Sequence, residues 1–178
     1  MQRGDFGKRY RGAAQQFGLG VALLWIYAIG LVGAAPVAHP RAHAHNDYEH
    51  PRPLLDALDQ GFCSVEADIW PVDGELRVAH DRKDLKPGRT LERLYLAPLA
   101  ERARANGGRI HPGVDGFSLL VDVKADPAGT WVLLAPLLER YQGLLTRFTD
   151  TNRTPGAVTI ILSGARPVEQ VRSAPQRW

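Results

Sequence analysis

From Arg41 onward, strand-length apolar runs alternate with helical patterns four times over, and few folds accommodate that order. It is the signature of βα units laid into a parallel sheet. Residues 41–46 read as a short first strand, "PRPLLDALDQG" as a helix opening on Pro53 and closing at Gly61, and "CSVEADIW" as a second strand. "VDG" then turns the chain into "ELRVAH", a short extension pairing with that strand. "APLAERARANGG" predicts a helix with Pro98 in its first turn and Gly107 just past its end. "FSLLVDVKA" is a third strand and "AVTIILSG" a fourth. Between them "TWVLLAPLLERYQG" predicts a helix with Trp131, Leu134, Leu138 and Tyr141 along one face, which Pro136 should kink or split. The stretch 167–178 carries no strand pattern and reads as an irregular tail. No internal repeat, low-complexity tract or second domain interrupts the order.

A closed (β/α)8 barrel takes roughly 250 residues, and residues 39–178 supply only about four βα units. The expectation is therefore either a small open α/β sheet or the N-terminal part of a barrel, spanning 39–166.

Residues 1–38 follow a different rule. Arg3, Lys8, Arg9 and Arg11 precede "FGLGVALLWIYAIGLVGAAPVA", Phe17 to Ala38, a run without a single charge. That is the layout of a secretory signal or an N-terminal membrane anchor, and either one predicts export of the rest. Of 22 Lys and Arg and 19 Asp and Glu, the segment holds four bases and Asp5, so 18 of each sign remain beyond it. A domain balanced in this way lacks the basic footprint of a nucleic-acid partner. Cys63 is the only cysteine, which excludes an intrachain disulfide and a cysteine-based zinc site.

Candidate chemistry follows from strand periodicity, since residues two apart share a face. In "SVEADIW", Glu66 and Asp68 point one way while Val65, Ala67 and Ile69 point the other. The rule also pairs Asp122 with Lys124, groups His43, His45 and Asp47, and aligns Leu76, Val78 and His80. Four segments thus bring ionisable groups to their C-terminal ends, where α/β folds place active sites. Neighbouring carboxylates need a divalent cation or a set of basic partners. Oxygen donors without cysteine favour Mg²⁺ or Ca²⁺, and nearby histidines suit proton transfer. Taken singly, each piece has an ordinary explanation: E-x-D as a solvated edge strand, Asp122 and Lys124 as a neutralising pair.

Together, "HAHNDYEH", "SVEADIW", "DGELRVAHD", "TLERLYLAPL" and "LLVDVKAD", in that order, resemble the phospholipase C-like phosphodiesterase superfamily. Within it they are most similar to the branch named after altered inheritance of mitochondria protein 6. The resemblance spans about residues 41 to 165 and implies a TIM-barrel type (β/α)8 phosphodiesterase fold, here ending after about four βα units. It implies that His45 and His80 are the catalytic histidines, that Glu66, Asp68 and Asp122 are acidic metal ligands, and that Asn46 joins them. Lys124 matches a basic residue two positions after Asp122, on the substrate side, and His43, also on that side, is extra to the family pattern and stands as the alternative to His45 for the first catalytic histidine. The activity implied is hydrolysis of a phospholipid-type or glycerophosphodiester substrate by an exported, metal-dependent enzyme, with membrane association possible through residues 17–38.

Two other classes remain open at this level. H-x-H closing a first strand also marks amidohydrolases, but these need further histidines on later strands, and only His111 follows His80. A shortened barrel could alternatively be a non-catalytic fragment or a binding module with an open sheet edge.

Overall fold

The computed structural model describes residues 36–178. Residues 1–35, nearly all of the expected leader, lie outside the described residues. Among the described residues no helix is long and apolar enough to cross a membrane.

The four expected strands are present as β1 (His39–Ala44), β2 (Phe62–Val72), β4 (Phe117–Val123) and β7 (Val158–Gly164). They lie parallel in the order β1-β2-β4-β7. The extension β3 (Glu75–Val78) folds back antiparallel on the end of β2, pairing Ile69 with Val78 and Val72 with Glu75. Asp73 and Gly74 make that reversal with φ of 53° and 75°, the left-handed pair that a tight Asp-Gly hairpin requires. The result is an α/β fold with a curled parallel sheet in partial-barrel form.

Between strands run α1 (Leu55–Asp59), α2 (Ala97–Ala105) and α3 (Pro127–Arg140), as the alternation predicts. The core is built where apolar strand positions meet these helices. Val65, Ala67 and Ile69 of β2 and Leu119 and Val121 of β4 are fully buried with Leu99 of α2 and Leu134 of α3. In β4 the alternation is complete: Phe117, Leu119, Val121 and Val123 face the core, and Asp122 faces the opposite side with Ser118 and Leu120.

Several local expectations are corrected. Pro136 neither splits nor ends α3. The carbonyl it leaves unbonded is that of Val132, a residue 71% exposed, so water can take the place of the missing N–H. The buried stripe of α3 is Thr130, Leu134, Leu137 and Leu138, with Trp131 and Tyr141 only partly covered. The first helix is short because Leu54, at φ 64°, gives its N–H to the buried carboxylate of Asp47. A π-helical turn, Glu92–Leu96, precedes α2. The segment after α3 forms a small hairpin, β5 (Arg147–Phe148) and β6 (Arg153–Thr154). The stretch read as an irregular tail contains α4 (Val168–Ser173), and the Arg177 backbone is bridged to Phe148 beyond it.

Leu119 sits at the centre of this packing, on the middle strand pair and with no exposed surface. Leu119→Ala is expected to lower the unfolding free energy by about 2–5 kcal/mol, read from urea midpoints at unchanged slope. A loss under about 1 kcal/mol would show that the core is not centred on β2 and β4.

Candidate active site

Parallel register sets the site. Asp68 of β2 lies beside Asp122 of β4, and Asp122 beside Ser163 of β7. Directly paired residues on neighbouring strands project to the same face, so three polar side chains form one row across the C-terminal ends of three strands. Two positions earlier on that face of β2 stands Glu66.

Asp68 is the hub. It has no exposed surface, and its Oδ2 accepts from the Tyr48 hydroxyl at 2.6 Å and the Lys124 ammonium at 2.7 Å, with His80 Nδ1 at 3.2 Å. Its other oxygen, Oδ1, is buried and has no partner among the described residues. Lys124 also reaches Asp122 Oδ2 at 2.9 Å, and Ser163 Oγ donates to Asp122 Oδ1 at 2.5 Å. The backbone holds Lys124 there by donating its N–H to the carbonyl of Ile69.

The second cluster is built on Glu66, itself only 7% exposed. Its Oε2 accepts the Asn46 backbone N–H at 3.0 Å and lies 3.2 Å from His45 Nε2. β1 ends at Ala44, opposite Val65, which brings His45 level with Glu66. Asn46 then takes a left-handed conformation, φ 52°. That bend turns the chain over the sheet end and aims Tyr48 inward. The Tyr48 hydroxyl touches Asn46 Oδ1 at 2.9 Å and His80 Nδ1 at 3.2 Å as well as Asp68. Its single hydrogen belongs on Asp68, the shortest contact and the one with a carboxylate. His80 lies two residues past β3, and the Ala79 N–H to the Asp68 carbonyl ties its backbone to β2. His43 is one step further from the strand end, with Nδ1 2.8 Å from Ser64 Oγ.

The structure thus gathers His45, Asn46, Glu66, Asp68, His80, Asp122 and Lys124 at one end of the sheet, with His43 bonded to Ser64 rather than to a carboxylate. Asp47, expected on the face of His43 and His45, is turned beneath the site by the Asn46 bend. There it accepts the Leu54 N–H and the Tyr95 hydroxyl, and burial pushes its carboxyl above the usual range. Tyr95 reaches Asp47 from the π-helical turn, so that widened turn supports the site from below. Sequence reasoning missed Tyr48 and Ser163. The only signal for Ser163 was its place near the end of the fourth strand; nothing marked Tyr48.

Burial opposes charge on Lys124 and on Asp122, yet each is held charged by the other. Burial alone would lower the Lys124 ammonium, but bonds to Asp68 and Asp122 raise it above its ordinary value. Burial alone would raise Asp122, but the Ser163 hydroxyl and Lys124 bring it below the usual carboxylate range. Burial, and then the bond to Asp68, pushes Tyr48 upward, which keeps it a phenol. Among the described residues no three His, Cys, Asp or Glu side chains stand together as a set that could hold a metal ion. The cation between Asp68 and Asp122 is the lysine.

Comparison with known proteins adds three findings. The AIM6-like phosphodiesterase domain matches residues 34–177. Curated relatives include an altered inheritance of mitochondria protein 6 homolog from Arthroderma benhamiae, 32% identical over 76% of this chain and 50% of that protein. Proteins named altered inheritance of mitochondria protein 6 from Lachancea thermotolerans and Saccharomyces cerevisiae are 36% and 44% identical, over 73% and 70% of this chain and 35% and 37% of their own lengths. The chain therefore spans half or less of the length of these relatives. No solved structure matches it.

The Lys124 pairing has a pH signature. Asp122, depressed in the folded state, contributes stability above its ordinary value near 3.8, and this is lost as pH falls through its folded value. Lys124, raised in the folded state, contributes below its ordinary 10.5 and loses this as pH rises through its folded value. In Lys124→Gln part of the Asp122 depression disappears, so the acid unfolding midpoint followed by circular dichroism should move to higher pH. An unchanged midpoint would show that Lys124 and Asp122 are not coupled.

Proposed function

The chain belongs to the AIM6-like phosphodiesterase domain family, and from that membership we infer that it contributes the catalytic end of a phosphoric diester hydrolase acting through His45 and His80. The observation that carries this reading is the pair of carboxylate-backed histidines, His45 on Glu66 and His80 on Asp68, each at 3.2 Å, with the Lys124 ammonium on the same Asp68 oxygen as His80. On the same reading the curled sheet is part of a (β/α)8 phosphodiesterase barrel. Residues 1–38 would export the protein or anchor it to a membrane, and the substrate would be a phospholipid-type or glycerophosphodiester.

The geometry divides the labour between the histidines. His80 has Nδ1 occupied by Asp68 and Tyr48, which leaves Nε2 for the substrate. A cavity of about 400 Å³ adjoins His80, bounded by Tyr48, His50, Val78, Lys86 and Arg89. An attacking water needs little room, whereas a leaving alcohol needs such a space. His80 would therefore protonate the leaving oxygen as the phosphorus–oxygen bond breaks. His45, whose side chain is 73% exposed, would take the proton from the attacking water as its oxygen bonds to phosphorus. Glu66 orients the His45 ring and stabilises the imidazolium it becomes on taking the proton, and Asp68 orients the His80 ring and stabilises the imidazolium from which the leaving oxygen takes its proton. Lys124 presents positive charge to the phosphoryl oxygens, and His43 lies one step along the same face.

The donor chemistry also suits a divalent cation, provided that Lys124 gives up the place between Asp68 and Asp122 that it fills in this arrangement. Glu66, Asp68, Asp122 and the Asn46 amide are hard oxygen donors, and the unpartnered Asp68 Oδ1 is the kind of atom such an ion satisfies. Mg²⁺ or Ca²⁺ held by them would neutralise phosphate charge in the transition state.

Glu66→Ala with Asp68→Ala is expected to reduce hydrolysis of bis-(p-nitrophenyl) phosphate by about 100-fold or more, measured per folded molecule with the folded fraction read by circular dichroism. Full retention would overturn the assignment. Activity lost on chelation and restored by Mg²⁺ or Ca²⁺ is the expected result for the cation, and activity indifferent to chelation would remove it from the mechanism.

A further inference from the structure

The cavity beside His80 has a wall that the reaction itself does not need. Residues 86–89, Lys-Pro-Gly-Arg, form a tight turn closed by the Arg89 N–H on the Lys86 carbonyl at 3.3 Å. Gly88 takes φ 74°, the left-handed conformation that the third position of a Pro-Gly type II turn demands. Such a turn brings its first and fourth Cα atoms within about 7 Å, so two cations are set side by side on one corner. The corner is fixed to the sheet, because Val78 N–H donates to the Arg89 carbonyl and Arg77 bridges Thr90.

Arg89 is half-buried, and its guanidinium is oriented by one donation to the Tyr48 carbonyl at 2.5 Å. Among the described residues its remaining donors make no hydrogen bond. Among the described residues no carboxylate forms an ion pair with Arg89 or Lys86, whereas neighbouring Arg77 is neutralised by Asp73 and Glu75, and Lys83 by Asp81. Glu49 and Asp84 line the same cavity but, like Lys86, are exposed, so solvent screens all three more than it screens the half-buried Arg89. The two carboxylates offset the two cations in sum. The cavity therefore suits one localised anionic group seated on an oriented guanidinium fork, and not a polyanion.

We propose that Lys86 and Arg89 form a leaving-group subsite, and that the preferred substrates are phosphodiesters whose leaving alcohol carries one further phosphate or carboxylate. The inference rests on the phosphodiesterase reading above, which places the leaving group against His80. Both anions fit the guanidinium fork, and matched substrates separate them.

The test compares diesters identical except for a terminal phosphate, carboxylate or hydroxyl on the leaving alcohol. In the full-length protein, kcat/KM should favour one of the charged substrates over the hydroxyl-terminated one by about tenfold or more, a ratio that one charge-assisted contact supplies. Lys86→Glu should erase that preference, whereas Lys83→Glu, in the same loop but outside the cavity, should keep it. Cleavage of all three at equal kcat/KM would overturn the subsite and leave the phosphodiesterase reading intact. A second measurement does not depend on turnover: calorimetric titration with sn-glycerol 3-phosphate should show binding to the wild type that Lys86→Glu loses. Binding without any diester cleavage would retain the anion subsite and reject the reaction. Neither binding nor preference would reject the subsite.

Discussion

The site depends on one buried carboxylate. Asp68 has no exposed surface, so its charge is tolerable only because Lys124, Tyr48 and His80 surround Oδ2. Those three partners come from the end of β4, from the loop after β1 and from beyond β3. A charge that must be neutralised thus gathers three separate stretches of chain at one point, and His80 belongs to one of them. Coupling to Asp122 and Ser163 extends the network across the sheet to β7.

A second layer sits beneath the first. Asp47 receives Leu54 and Tyr95, holding the chain between β1 and α1 in a shape that a regular helix would not give. Leu54 keeps a positive φ there, at the centre of a tight turn closed by the Leu55 N–H on the Pro53 carbonyl, a costly state for a large side chain that persists because its own N–H is captured by Asp47 and its side chain is fully buried. Tyr48 follows directly on Asp47, so the alignment of the hub's tyrosine is set by a carboxylate that itself faces away from the chemistry.

How far the sequence spoke depended on whether the information was local. The E-x-D face of β2, the four strands and their helices all follow from spacings of two and of about three and a half, which are properties of one segment. Glu66, Asp68 and Asp122 were legible for that reason, whereas singling out His45 and His80 rested on the resemblance carried by the ordered motifs. Register between strands is not local, so the Asp68–Asp122–Ser163 row and the role of Ser163 could not be counted in advance. The grouping of His43, His45 and Asp47 failed because periodicity was carried past the end of β1, through the bend at Asn46. The length of α1 was misread because the side chain of Asp47, seven positions before Leu54, claims the N–H of that residue at the helix entrance, and the choice of lysine as the buried cation depends on three-dimensional proximity alone.

Gly164 shows what holds the far end of this row in place. Its backbone is left-handed, φ 65°, and any β-carbon there would stand 2.5 Å from the Val123 carbonyl and 2.8 Å from Asp122 Oδ1. Ser163, the residue before it, donates to that same Asp122 oxygen from 41 positions further along the chain. The end of β7 therefore closes down directly on the carboxylate of the neighbouring strand, and the contact needs bare backbone at position 164 as much as it needs the serine hydroxyl. The spacing of the row is in this way set by a missing side chain.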